Sequence, residues 1–193
     1  DSLSNYVQLI APNDQRYYIQ DSSSIIVVSL SDGEVLGSFS APLRLMPVGA
    51  VVLGSNSDDE TITFDIEDPS STLIKLGTNE VNITGNSESS GATSILVGTL
   101  RINGEHDEST ATISSGATLG GSGTVGGIVS NGNLEPGNSI GTLNISGDVT
   151  LNSGSVLVIE IDTAGNNDKI IATGDVTAGG TLRVSPASGT YTN

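Results

Sequence analysis

Short apolar runs separated by polar and glycine-rich clusters dominate this chain. Ile25-Ile26-Val27-Val28, Val48 to Leu53, Thr61-Ile62-Thr63-Phe64-Asp65-Ile66 and Val156 to Ile161 are rich in β-branched residues. Gly, Asn, Asp and Ser clusters bound them, which predicts strands closed by turns. Helical spacing of apolar residues at i, i+3, i+4 and i+7 is not sustained anywhere, so almost no helix is expected.

From about residue 72 the strands fall into a loose repeat, in which small residues around a Gly lead into an apolar strand. The series runs Gly98-Thr99-Leu100-Arg101-Ile102, Gly116-Ala117-Thr118-Leu119, Gly123-Thr124-Val125, Gly132-Asn133-Leu134 and Gly141-Thr142-Leu143-Asn144-Ile145. Gly154-Ser155-Val156-Leu157-Val158 and Gly180-Thr181-Leu182-Arg183-Val184 complete it, and Gly147-Asp148-Val149-Thr150 recurs as Gly174-Asp175-Val176-Thr177. Spacing from Leu to Leu varies between 9 and 25 residues, which predicts several strands per coil and loops of unequal length. Strand alternation sends Leu143 and Ile145 to one side and Asn144 and Ser146 to the other. One such coil cannot bury its apolar face alone, but stacked coils share a continuous core. A β-sandwich is the rival, because it too has many short strands; Asn131-Gly132 is a hairpin-type dipeptide that suits it.

The beginning of the chain reads differently. Residues 1 to 55 carry Tyr6, Tyr17, Tyr18, Phe39, Pro12, Pro42 and Pro47, and lack the Gly-Thr-Leu pattern. The expected division is 1–71, as less regular coils or a small embedded β subdomain, and 72–193, as regular repeats. Residues 115 to 193, where the strands are most regular, are expected to be the most stable unit.

Composition narrows the function. Aromatic residues make up only 3% of the 193, with no Trp and no Cys, while Gly numbers 25. That suits many similar layers packed with Val, Ile and Leu better than a globule anchored on aromatics. The net charge is −16, and the 6 basic residues are scattered from Arg16 to Arg183. Nucleic-acid binding needs clustered cations and is excluded; an anionic membrane surface is disfavoured for the same reason. The absence of Cys excludes a disulfide framework and thiol chemistry. No signal peptide and no membrane-length apolar run is present, so the piece reads as a mature excised region.

Candidate chemistry is sparse. His106 lies in the polar run Gly104-Glu105-His106-Asp107-Glu108 and reads as an exposed loop residue, since no nucleophile-elbow motif accompanies it. The acidic cluster Asp58-Asp59-Glu60 with Asp65, Glu67 and Asp68 fits no calcium-loop spacing and reads as a solvated loop. Gly120-Gly121-Ser122-Gly123 and Gly126-Gly127 lack the helix and Lys of a phosphate loop and read as coil corners. No catalytic residue, metal ligand or cofactor is expected. Arg16, Tyr17 and Tyr18 are the candidate partner-binding residues, because Tyr and Arg anchor interfaces.

One resemblance adds to this reading. Leu73-Ile74-Lys75-Leu76-Gly77, Val81-Asn82-Ile83-Thr84-Gly85-Asn86, Gly91-Ala92-Thr93 and Gly98 to Gly104 follow each other in the order of the passenger-associated repeat of bacterial autotransporters, the type V secretion family. Gly132-Asn133-Leu134-Glu135-Pro136-Gly137-Asn138-Ser139-Ile140-Gly141-Thr142-Leu143 resembles the segment near the end of many such passengers. Asp168-Lys169-Ile170-Ile171 and Gly179-Gly180-Thr181-Leu182 also resemble the family. Asn79-Glu80 in place of Gly-Thr, and Ser87 to Ser90 without a Tyr, are departures. The resemblance covers about two thirds of the chain. Together with the repeat it implies a right-handed parallel β-helix, exposed at the bacterial cell surface or outer membrane, or secreted after cleavage. It implies a non-enzymatic scaffold for export and folding, with a self-chaperoning C-terminal segment and a β-barrel translocator as its own partner. It further implies a virulence-type adhesin role toward a host-cell surface protein or matrix component. The alternative is an inert stem behind a serine protease or esterase domain.

Overall fold

The computed structural model describes residues 8–10, 16–20, 24–29, 35–40, 50–54, 59–63, 65–66 and 69–190. Their regular elements are all strands: β1 (Gln8–Ile10), β2 (Arg16–Gln20), β3 (Ser24–Ser29), β4 (Val35–Ser40), β5 (Ala50–Leu53), β6 (Glu60–Ile62), β7 (Thr72–Lys75), β8 (Glu80–Ile83), β9 (Thr93–Ile95) and β10 (Thr99–Ile102). The rest are β11 (Glu105–Ile113), β12 (Thr118–Gly121), β13 (Thr124–Ser130), β14 (Asn133–Pro136), β15 (Thr142–Ile145), β16 (Val149–Leu151), β17 (Val156–Ile161), β18 (Lys169–Ala172), β19 (Val176–Thr177) and β20 (Thr181–Pro186).

From Ala50 onward, every pairing between these strands is parallel, and each strand pairs with its counterpart one coil away. Strands β5 to β20 therefore form a parallel β-helix. An antiparallel sandwich cannot produce this ladder. One face is the seven-stranded sheet β6-β8-β10-β12-β14-β17-β20. The larger sheet bends into two faces. Within β11, Glu105 and His106 pair with Thr124 and Val125, and after a register shift Thr110 to Ile113 pair with Gly127 to Ser130. Above that bend, β13 is continued by β15 on one side and β16 on the other. Three faces with a shared interior result. Strands β1 to β4 form an antiparallel meander, attached where β1 runs antiparallel to β5.

The interior is built from columns of like residues. Val81, Leu100, Leu119 and Leu134 lie in register at 0% exposure, and Leu157 and Leu182 continue the column. Each fully buried Leu or Ile is worth about 1.5–3 kcal/mol. The core cluster contains no aromatic side chain among the described residues, as the composition implies. Small residues let the layers close. At Gly121 (φ 111°) a Cβ would lie 2.1 Å from the Ile102 carbonyl oxygen, so only Gly fits there.

The glycine-rich run is thus not simply a set of corners. Gly120 and Gly121 sit inside strand β12, and Gly126 and Gly127 lie within β13 at its bend. Burial falls off in the last coil, where Ile171, Val176, Leu182 and Val184 are at least half exposed. No helix among the described residues is long and apolar enough to cross a membrane.

Candidate functional site

Among the described residues, buried polar side chains gather in two groups around Lys75 and His106. The first lies at the corner between β7 and β8. Alternation along β7 points Leu73 and Lys75 inward, so Lys75 occupies a core column between Leu53 and Ile95. It is fully buried, as are those two neighbours. Its Nζ donates to the carbonyl oxygens of Leu76 (2.8 Å), Gly77 (2.9 Å) and Val97 (3.3 Å), and to Asn79 Oδ1 (3.3 Å). Asn79 Nδ2 in turn donates to Glu60 Oε1 at 3.3 Å. Glu60 heads an inward column opposite Val81, and both Glu60 and Asn79 are buried. Burial pushes the Lys75 amine below the ordinary lysine range, against the opposing pull of the Glu60 and Asp59 charges. Gly98 (φ 72°) leaves room for this amine, which lies 2.8 Å from where its Cβ would be.

The second group surrounds His106. The structure overturns the exposed-loop reading: His106 lies in β11, is 1% exposed, and stacks below Val125. Its Nε2 meets the Gly85 carbonyl oxygen at 3.1 Å. A carbonyl only accepts, so Nε2 carries the proton. Burial lowers the ring's pKa below the usual histidine value, although the Gly85 bond and the Asp107 and Asp65 charges oppose it. Ser109 Oγ donates to the Gly91 carbonyl at 2.7 Å and lies 2.8 Å from Thr93 Oγ1, while Ser89 Oγ donates to the Ser71 carbonyl. These groups line an interior cavity of about 10 Å³, space for about one water. The serine hydroxyls serve backbone carbonyls and Thr93, and the imidazole serves a carbonyl. Among the described residues, no serine hydroxyl is hydrogen-bonded to this imidazole.

The acidic cluster does not act as one unit. Glu60 is in the core rather than a solvated loop. Asp59 Oδ1 accepts the Glu80 N–H at 2.8 Å, and Asp65 Oδ1 accepts that of Asn86 at 2.7 Å. Both carboxylates therefore tie one coil to the next. Asp58, Glu67 and Asp68 lie outside the described residues. Among the described residues no group of three or more His, Cys, Asp or Glu is placed to hold a metal.

On the outer surface, the segment Pro136 to Leu143 is clamped across neighbouring coils. Arg101 Nη1 donates to the Gly137 carbonyl at 2.9 Å and Asn138 Nδ2 to Asn103 Oδ1 at 2.7 Å. The buried Asp168 accepts the Gly141 N–H at 2.9 Å and the Glu160 N–H at 2.7 Å. A groove of about 330 Å³ beside this segment is lined by Arg101, Glu135, Glu160 and Arg183. Another, of about 570 Å³, is lined by Glu88, Glu105, Asp107 and Glu108.

Arg16, Tyr17 and Tyr18 all fall in β2, where Tyr17 pairs with Ile10 and Val28 and Tyr18 with Leu9 and Val27. Their side chains lie outside what the structure describes. Sequence reasoning missed Lys75, Asn79 and Glu60 as a unit. The alternation Leu73-Ile74-Lys75, which puts a lysine in an inward slot, was the available signal.

The chain matches no family model. It is 36% identical over 118 residues to an extracellular serine protease of Serratia marcescens, an alignment covering 58% of this chain and 11% of that protein. The chain thus spans about a tenth of the length of the curated relative it matches.

Proposed function

We propose that this chain is the β-helical stem of a longer exported bacterial protein, a scaffold that carries an active domain and does not itself catalyse. In this reading the relevant partners are the chain's own outer-membrane translocator barrel and the domain it displays. The observation that carries the reading is the likeness to an extracellular serine protease, which involves only 11% of that protein and falls on a chain folded as a repetitive β-helix. The chemistry of the interior supports it. Histidine is used as a neutral hydrogen-bond donor to Gly85, and serines as fasteners between coils. A parallel solenoid is dominated by non-local contacts, which slow folding. A preformed coil offers each following coil a complete set of edge hydrogen bonds, so such a stem assists folding during export.

The purified chain is assayed against ester and peptide substrates beside a heat-denatured sample. Equal, background rates are expected. Turnover above background by the native chain overturns the proposal.

A further inference from the structure

Lys75, Asn79 and Glu60 meet in a water-poor corner where the neighbouring coils place apolar or small residues. One coil on, these three column positions hold Ile95, Gly98 and Val81. The Lys75 amine bonds the oxygen of the Asn79 amide, which puts it one atom from the amide carbon. Glu60 accepts from the nitrogen of the same amide. The Asn79 amide is thereby held between a nucleophile on its oxygen side and a proton carrier on its nitrogen side, with the entropic cost of assembly already met by folding.

We propose that Lys75 and Asn79 join through an intramolecular amide bond between Nζ and Cγ, with Glu60 as the proton carrier. Glu60 takes one proton from the Lys75 ammonium, leaving a lone pair on Nζ. That pair attacks Cγ, and the C=O pair moves onto Oδ1. The tetrahedral centre collapses as the Cγ–Nδ2 bond breaks, and Nδ2 leaves as ammonia after receiving a second proton from Nζ through Glu60. The products are a secondary amide, a protonated Glu60 and one ammonia. No oxidant or reductant is needed. Burial lowers the amine's affinity for its proton, which favours the first step. The reaction also removes a buried ammonium and a buried carboxylate, whose desolvation is costly. The bond closes the corner between β7 and β8 covalently, in the second coil of the parallel stack.

The test is the mass of the folded chain, followed by tryptic digestion. The expected result is loss of one ammonia, confined to the peptide spanning Leu45 to Arg101, with no cleavage after Lys75. Lys75→Arg, Asn79→Ala and Glu60→Gln are expected to keep their full sequence masses. A wild-type chain with its full sequence mass and ready cleavage after Lys75 overturns the proposal; the corner is then held by the ammonium alone. Ammonia loss that persists in Lys75→Arg overturns it equally, and persistence in Glu60→Gln overturns the role given to Glu60.

Discussion

The column Leu100–Leu119–Leu134–Leu157–Leu182 offers one side chain at graded depth in one fold. Leu119 is 0% exposed, with fully buried leucines above and below it, whereas Leu182 in the last coil is 63% exposed. Truncating Leu119 to Ala removes its transfer energy and leaves a cavity between two rigid layers, a loss of about 2.7–5 kcal/mol. Truncating Leu182 removes little buried surface, and the cost expected at an exposed position is within about 0.5 kcal/mol. Leu157, half-buried against the core, falls between. Urea unfolding followed by far-ultraviolet circular dichroism reads the series. With a slope of about 1–3 kcal/mol per molar urea, Leu119→Ala shifts the midpoint down by roughly 1 M or more. Leu182→Ala leaves it nearly in place. Equal losses at Leu119 and Leu182, or a larger one at Leu182, would refute the registered column with a buried middle and an exposed Leu182.

Two further outcomes follow from the site. Burial holds the pKa of folded His106 below that of the unfolded ring, which titrates near pH ~6.5. Between that pH and the lower folded-state value, the unfolded chain binds more protons than the folded chain. The His106 contribution is therefore complete above about pH 6.5 and falls with acidification, by at most about 1.4 kcal/mol per pH unit. Urea midpoints between pH ~7.5 and ~5 should show this slope in the wild type and lose it in His106→Gln; an unchanged slope in the variant contradicts the assignment. If host-cell surface proteins bind the N-terminal meander, the Tyr17→Ala, Tyr18→Ala double variant should lose cell binding, and a chain starting at Thr72 should lose it too. Equal binding by the shortened chain moves any such surface onto the regular coils.

Much of this architecture was legible because a β-helix writes its columns into local alternation. Leu143-Asn144-Ile145 states which residues face in, and the Gly-led strands at Leu100, Leu119, Leu134, Leu157 and Leu182 mark where the seven-stranded face resumes. What stayed hidden depends on neighbours about twenty residues away. His106 sits in a run of charged residues, and local polarity argued for solvent; its inward slot emerges only once β11 is registered on β13. Glu60 was hidden in the same way inside an acidic cluster. The antiparallel order of β1 to β4 carries no repeat and follows no periodic signal. The Pro136 to Leu143 segment was conspicuous as a motif. Its physical reason, a clamp by Arg101, Asn103 and Asp168, required the stack.

The stem reading is tested most directly by display on living cells. A reporter domain is placed ahead of Asp1, and the chain is joined to a type V translocator barrel. Accessibility of the reporter to external protease is then compared with that of a fusion lacking residues 50–190. The account predicts efficient surface exposure of a folded reporter with the chain and a marked loss without it. Equal exposure of folded reporter in both fusions would contradict it.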